Sequence, residues 1–537
     1  MSIFNTLTGS EDLPFLGKRG VGLIAALGLC AGMGVSVAQA QEINDQGWSV
    51  LEPSVDTRFV FVSASTGRDT NSGFSPAQAV RSLDYAKSLI RDDSADWMLL
   101  KRGDVWNEGI GYWSKSGRSE EERVVITSYG ESDERPKLVV SSGKAFNSGY
   151  QIEESNVAII GISMVADRTT EAVPKGIVWL ASGDNLLIED CRIEGFPVNV
   201  VCQASGEGNF RNFAIRRSVI VDSWSTQGHS QGLFVSETIG VRIEENVFDH
   251  NGWNTEVAGA EPTLFNQNVY LQTTATDVEF HGNVISRASS AGVQMRSGGH
   301  ASRNLVYANP LGMRFGYMTL DWPAEAASGS LTKNVILGGP LATDSINGSG
   351  VGVYIERASN AIFKENVVAQ LNGGSVNWAF TIVGNARDVQ LDGNAVFEWG
   401  IAIRSNTDTE GFVRFNDNLW QSREAFELVK VDDSDRYEFE NNRLFGFGSD
   451  DNIFRMNGSW LDFTEWVDQD FVDGDELETS LFPDPGRNLD SYAQHLGLAD
   501  ADAFLAAARE QSRSNWDSAL TGTAASDWIR AGYMTED

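Results

Sequence analysis

The sequence predicts an all-β chain, a right-handed parallel β-helix, and three observations carry that prediction. A short phrase recurs through the middle of the 537 residues: Glu245-Asn246-Val247-Phe248, Gly282-Asn283-Val284-Ile285, Arg303-Asn304-Leu305-Val306, Lys333-Asn334-Val335-Ile336, and onward through Asn366, Asn394, Asn418 and Asn442. The last gaps between these asparagines are 28, 24 and 24 residues, a period that signals a solenoid whose repeats bury their apolar faces on one another. Each period reads strand, tight turn, strand, loop, strand, and no helical pattern separates the pieces. Leucine-rich repeats would show a denser leucine pattern, and propeller blades are longer and antiparallel.

The elements follow in chain order. Residues 1–40 read as an export signal, because Lys18 and Arg19 precede an apolar run from Val21 to Val37 and Ala38-Gln39-Ala40 is a small-x-small cleavage site. The mature chain is expected to begin at Gln41, in the periplasm or secreted. Pro76 to Arg91 reads as an amphipathic helix with Ala79, Leu83, Ala86 and Ile90 on one side, able to plug an end that would otherwise expose strand edges. The β-helix is expected over residues 41–480. Within it, Cys191 and Ser218 fill the slot that asparagine holds later. That asparagine fits an inward ladder at the turn, where its amide satisfies buried backbone groups and bonds its neighbours above and below. From 481 to 537 the pattern turns helical, most clearly at Ala501–Arg509, and this tail is expected to cover the far end or lie along the barrel. Cys191 and Cys202 could pair in an exported compartment; two buried free thiols fit equally well.

Composition narrows the chemistry. With 74 Asp+Glu against 41 Lys+Arg and a formal charge of -33, the chain lacks the basic surface that nucleic-acid binding needs. Metal-protease, nucleotide-binding and dinucleotide-binding motifs are absent from the sequence. Against this acidic background, the window from Phe280 to Leu320 holds no Asp or Glu, yet contains Arg287, Arg296, Arg303, Arg314, His281 and His300. A positive island on a negative protein concentrates anionic ligands.

The third strand of successive coils sharpens that expectation. It reads Gly232-Leu-Phe-Val-Ser236, Asn268-Val-Tyr-Leu-Gln272, Gly292-Val-Gln-Met-Arg296, Gly312-Met-Arg-Phe-Gly316 and Gly352-Val-Tyr-Ile-Glu356. Side chains alternate along a strand. The apolar second and fourth positions therefore fill the barrel, and the third and fifth point outward. Those outward columns hold Phe234, Tyr270, Gln294, Arg314 and Tyr354, then Ser236, Gln272, Arg296 and Glu356. Rings offer platforms for sugar faces, and arginines clamp carboxylates through a bidentate fork. His229 lies upstream of the first of these strands. Asp249-His250 precedes an excursion from Asn251 to Phe265 that could wall a groove and carries Trp253, Glu256 and Glu261.

The phrase from Phe61 to Pro76 (FVSASTGRDTNSGFSP), with the asparagine coils, resembles the pectate-lyase-like β-helix superfamily over roughly residues 58 to 450. The resemblance implies the fold and leaves the activity open, because such helices host lyases, hydrolases, epimerases and non-catalytic proteins. Subfamily motifs do not carry over. Gly228-His229-Ser230 matches only part of the polygalacturonase Gly-His-Gly segment, and its Arg-x-Lys is missing. The Lys base and Arg acid of alginate lyases and chondroitinase B find no lysine between Lys175 and Lys333. The Asp-Pro-His of mannuronan epimerases is absent.

The sequence therefore leads to an enzyme on an acidic, uronate-containing polysaccharide, acting by β-elimination. Elimination needs a group that stabilises charge on the carboxylate, a base and an acid. Arg296 and Arg314 with Gln272 are the expected neutralisers, His229 or His250 the base and Tyr270 the acid. Gln294, Tyr354 and Trp253 are expected to bind substrate. Calcium could share the neutralising role through Asp249, Glu256 or Glu261. One alternative is a glycoside hydrolase with two carboxylates drawn from Asp222, Glu237, Asp249, Glu256 and Glu261. The other is a non-catalytic polysaccharide-binding protein. The expected partner is the acidic polymer, with no nucleic acid, no membrane after signal cleavage, and a monomeric chain.

Overall fold

The computed structural model describes residues 42–534 apart from 170–171, 207, 318–324, 339–349, 370–377, 407–410, 422–426, 433 and 480–481; residues 1–40, expected to be an export signal, lie outside the described residues. Residues up to Glu52 form a unit of their own, in which Ile43 bridges Ser49 and Asn44 Oδ1 accepts from the Gln46 and Trp48 amides. From Pro53 onward the chain coils through three sheets. The first has 15 strands, from Phe59–Val62 to Val472–Asp473, and the second has 14, from Val105–Trp106 to Glu476–Leu477. The third also has 14, from Gly111–Tyr112 to Ser459–Leu461. Each strand pairs in parallel with its equivalents one coil away, as Val241–Glu244 does with Val278–His281. Among the described strands, only the last pair of the third sheet, Phe454–Met456 with Ser459–Leu461, is antiparallel.

The turn between the first and second sheets explains the repeat. Glu245, Gly282, Arg303, Lys333, Glu365, Gly393, Asp417 and Asn441 all take left-handed backbone angles, φ 50 to 66°, which tightens the corner and leaves buried amides without strand partners. The asparagine that follows each one repairs this. Asn246 donates its backbone N–H and its Nδ2 to Asn283 Oδ1 at 2.9 and 3.0 Å, and a further Nδ2 bond reaches Ile215 O at 2.9 Å. The same geometry repeats through Asn304, Asn334, Asn366, Asn394, Asn418 and Asn442, and Asp475 closes the column. At the other end Ser218 and Cys191 occupy the slot, as their sequence positions predict. A second, shorter ladder of Asn199, Asn251, Asn268 and Asn309 fills the corner between the second and third sheets.

Both ends are plugged. At the N-terminal end the expected helix is shorter than its apolar spacing: a 3₁₀ turn over Pro76–Gln78 precedes an α-helix at Leu83–Leu89. The residues between give up helical bonds so that Val80 can extend the first sheet beside Val62. Ala79, Leu83, Ala86 and Ile90 are all buried as predicted. At the far end a five-residue helix, Phe463–Val467, seats Trp466 against Phe439 and Phe454.

The tail takes the second of its two expected positions and lies along the barrel. The second sheet's strands are apolar on both faces, so Val219, Val247, Val284, Leu305, Val335 and Val367 point outward and need cover. Phe504, Leu505, Ala525, Ile529 and Tyr533, from helices Ala501–Arg509 and Gly522–Arg530, supply it. Burying such side chains is worth about 1.5–3 kcal/mol each relative to leaving them exposed. Cys191 and Cys202 are free, buried thiols, and burial pushes both up to about 12. Among the described residues no helix is long and apolar enough to cross a membrane.

Candidate functional site

Strand alternation places the third-sheet residues as the sequence predicts, in register along one outward ladder: Phe234, Tyr270, Gln294, Arg314, Tyr354, Thr381, Arg404, Lys430 and Arg455. With strands about 4.8 Å apart, this ladder is long enough for an oligomer rather than one ring. The face is less solvated than a bare outward sheet: Tyr270 is 5% exposed, Gln294 2% and Glu356 3%.

Arg296 is the centre of this face. Its guanidinium lies over the Tyr270 ring at 4.8 Å and the Tyr317 ring at 5.1 Å. Its Nη1 donates to Gln272 Oε1 at 3.0 Å, while Gln272 Nε2 reaches the Tyr270 hydroxyl at 3.4 Å. All these partners are neutral, and Arg296 has no carboxylate partner among the described residues. Burial lowers its pKa, but a guanidinium stays protonated in proteins. Burial raises the Tyr270 phenol, with Arg296 pulling the other way, so Tyr270 is protonated at neutral pH. Around this centre, the buried Gln294 Nε2, Arg296 Nε and Tyr317 hydroxyl have no hydrogen-bond partner among the described residues. Buried polar groups are nearly always paired, so three such atoms beside a charged guanidinium set this centre apart from the rest of the face.

Arg314 departs from its expected role as a neutraliser. Its Nε and Nη2 grip the Glu356 carboxylate at 2.6 and 2.7 Å, a bidentate fork that cancels its charge. It also lies 5.5 Å from the Tyr354 ring. Further along, Arg404 stacks on Trp378 at 4.1 Å. The positive island likewise disperses, because its 41 residues span more than one coil and so reach all three sheets. Arg287 and Arg303 ion-pair with Asp249 and with Asp527 of the tail. His281 and His300 bond Ser302 and Ser330 on the first sheet.

The two expected bases do not join Arg296. His229 precedes the third-sheet strand by two residues and packs on Phe265 at 5.5 Å, and burial lowers its pKa. It stands five residues before Phe234, the neighbour of Tyr270, up to about 16 Å along an extended chain. His250 is farther off, at the end of a second-sheet strand. Its Nδ1 lies 2.9 Å from Asp222 Oδ1 and its ring 4.3 Å from that of Trp253. Asp222 and Asp249 are both held by Arg509, which the tail helix delivers from 260 residues away; Asp249 accepts from its Nη1 at 2.7 Å and also from Arg287. Sequence reading assigned no role to Arg509, nor to Tyr317.

The residues suggested for calcium are set apart in the same way. Asp249 is buried and spent on two guanidinium groups, whereas Glu256 and Glu261 are exposed on the excursion. Among the described residues no group of three His, Cys, Asp or Glu is placed to hold a metal ion.

No family model matches the chain. A lacto-N-biosidase of Bifidobacterium longum subsp. longum is 22% identical over 142 residues, which is 26% of this chain and 9% of that protein; the chain thus spans less than a tenth of that relative. Among solved structures, XylC in complex with xylose is 10% identical, with a TM-score of 0.48 and coverage of 78% of this chain and 86% of that one. The GH136 lacto-N-biosidase from Eubacterium ramulus is 12% identical, with a TM-score of 0.35 over 79% and 68%. The periplasmic alginate epimerase AlgG is 12% identical, with a TM-score of 0.38 over 65% and 77%. The fold of this chain, a parallel β-helix, rests on its own three-sheet topology.

Proposed function

We propose that this chain is an exported enzyme that binds a linear uronate polymer along the outward face of the third sheet and cleaves it by β-elimination. One observation carries the reading: among the described residues Arg296 lies against two tyrosine rings with no carboxylate partner, next to buried donors that also lack one. A uronate carboxylate supplies the missing acceptors and the missing negative charge together. As the C5 proton leaves, charge grows on that carboxylate, and a preorganised guanidinium and amide stabilise it without having to reorganise. Tyr270, protonated and hydrogen-bonded to Gln272, is the acid at the departing oxygen. Tyr317, the second ring against Arg296, takes the C5 proton only as its phenolate, a form that the adjacent guanidinium favours. Phe234, Tyr354 and Trp378 are platforms for neighbouring rings. The hydrolase alternative is weaker here, because Glu356 on this face is bound to Arg314, and Asp222 and Asp249 are both held by Arg509.

The test is incubation with alginate, pectate, glycosaminoglycans and neutral glucans, following ultraviolet absorbance of unsaturated uronate alongside new reducing ends. The reading expects both signals to rise together on a uronate polymer. Reducing ends without absorbance would overturn elimination in favour of hydrolysis. Saturable binding with neither signal would leave a polysaccharide-binding protein.

A further inference from the structure

A second cleft lies where the chain leaves the second sheet, apart from the Arg296 face. It has a volume of about 270 Å³ and is lined by Arg168, Glu194, Asp222, Trp224, His250 and Trp253 among others. We propose that this cleft binds one small carboxylate, the size of a single sugar acid, on the Arg168 guanidinium.

The acids of the cleft are already balanced, and its arginine is not. Arg192 Nε donates to Glu194 Oε2 at 2.8 Å. Asp222 is gripped by Arg509 through Oδ2 and lies 2.9 Å from His250 Nδ1 through Oδ1. Arg168 pairs with neither, and it has no carboxylate partner among the described residues. Burial alone acts on its pKa, pushing it down with no acid pulling the other way, yet a guanidinium stays protonated in proteins. A half-buried cation that the fold leaves unbalanced is open to an anion from outside.

Arg168 is also aimed in advance. Its guanidinium lies 3.7 Å from the Trp224 ring centroid, and its Nη1 donates to Gly195 O at 3.2 Å and Trp224 O at 3.1 Å. Those bonds use Nη1 alone. The opposite edge, Nε and Nη2, keeps its donors, and this is the edge with which Arg314 forks onto the Glu356 carboxylate. The indoles serve as supports here, since Arg168 covers Trp224 and His250 packs on Trp253 at 4.3 Å. Trp253 is fixed in turn by its Nε1–H bond to Arg287 O at 2.9 Å. A guanidinium held this way loses little freedom on binding. His250 Nε2, which has no partner among the described residues, is available to a ligand hydroxyl. The cleft is slightly smaller than the roughly 300 Å³ at which pockets for drug-sized ligands begin, a size that suits one ring.

Saturation-transfer NMR with D-glucuronate tests the proposal in the full chain carrying Arg296→Gln, so that the third-sheet face does not contribute. Glucuronate should receive saturation that equimolar glucose does not displace. Adding Arg168→Gln should weaken this binding by about tenfold or more. Absence of saturation before that second substitution overturns the proposal, as does displacement by glucose or undiminished binding in a folded Arg168→Gln chain. If the doubly substituted chain melts early, wild-type crystals soaked with glucuronate decide. A carboxylate seated on Arg168 upholds the site, and an empty cleft sinks it. None of these outcomes turns on whether the chain cleaves a polymer at Arg296.

Discussion

The outward sides of the second and third sheets both carry arginines, and they treat them in opposite ways. On the second sheet Arg287 and Arg509 meet Asp249 and Asp222, and the tail helices close over the surrounding valines. On the third sheet Arg296 meets an amide and two rings, and neighbouring donors go unanswered. The difference separates cohesion from recognition. A guanidinium that the fold neutralises holds elements together, and one that the fold leaves charged is available to a ligand. Arg314 shows that position alone is a poor guide, because it shares the third-sheet face yet is consumed by Glu356.

The largest expected effect is at Arg296. Arg296→Gln should lower product formation on the cleaved polymer by about a hundredfold or more with little change in melting temperature; a large loss of stability with activity intact would place Arg296 with the structural arginines. Arg509→Gln should do the reverse, costing about 2 kcal/mol by removing one charged donor from both Asp222 and the buried Asp249, which keeps Arg287, while turnover persists. Denaturant unfolding and the absorbance assay separate the two cases.

The acid limb of stability sharpens the same contrast. Burial would raise the Asp222 carboxyl, but the His250 bond and the Arg509 charge outweigh it and hold its pKa below 3.8. Its stabilisation is therefore present above about pH 3.8 and is lost as pH falls through the lower folded value. Arg509→Gln should flatten that loss in acid melts. The smallest effect is at Gln294. Replacing it with Leu removes a buried donor without a partner, and should raise stability by about 1 kcal/mol while weakening polymer binding. A destabilised variant would mean that Gln294 is already satisfied within the fold.

Much of the architecture was legible because it repeats. Asn246 and its successors recur at a fixed place in each coil, and side-chain alternation assigned Tyr270, Gln272 and Arg296 to one face. The second ladder was not legible, since Asn199, Asn251, Asn268 and Asn309 recur at uneven intervals of 52, 17 and 41 residues and share no flanking phrase. The far plug escaped notice because a helix as short as Phe463–Val467 leaves almost no periodic signal. The site was legible only within a strand. His229 and His250 are near Tyr270 in sequence, but they stand at corners, where alternation gives no direction. Arg509 could not have been placed from the sequence, because its partners lie on coils hundreds of residues earlier. One hint was available: second-sheet strands such as Val335-Ile336-Leu337 are apolar at every position, and a surface of that kind requires a cover.

That cover has a consequence in time. The valines of the second sheet are synthesised long before Phe504, Leu505 and Ile529, which shield them, and no local segment can substitute. A growing chain therefore carries a long apolar stripe on an otherwise finished barrel until the helices Ala501–Arg509 and Gly522–Arg530 emerge. Loss of even one of these helices would leave the molecule in that adhesive intermediate state, so their docking is the step that completes the barrel.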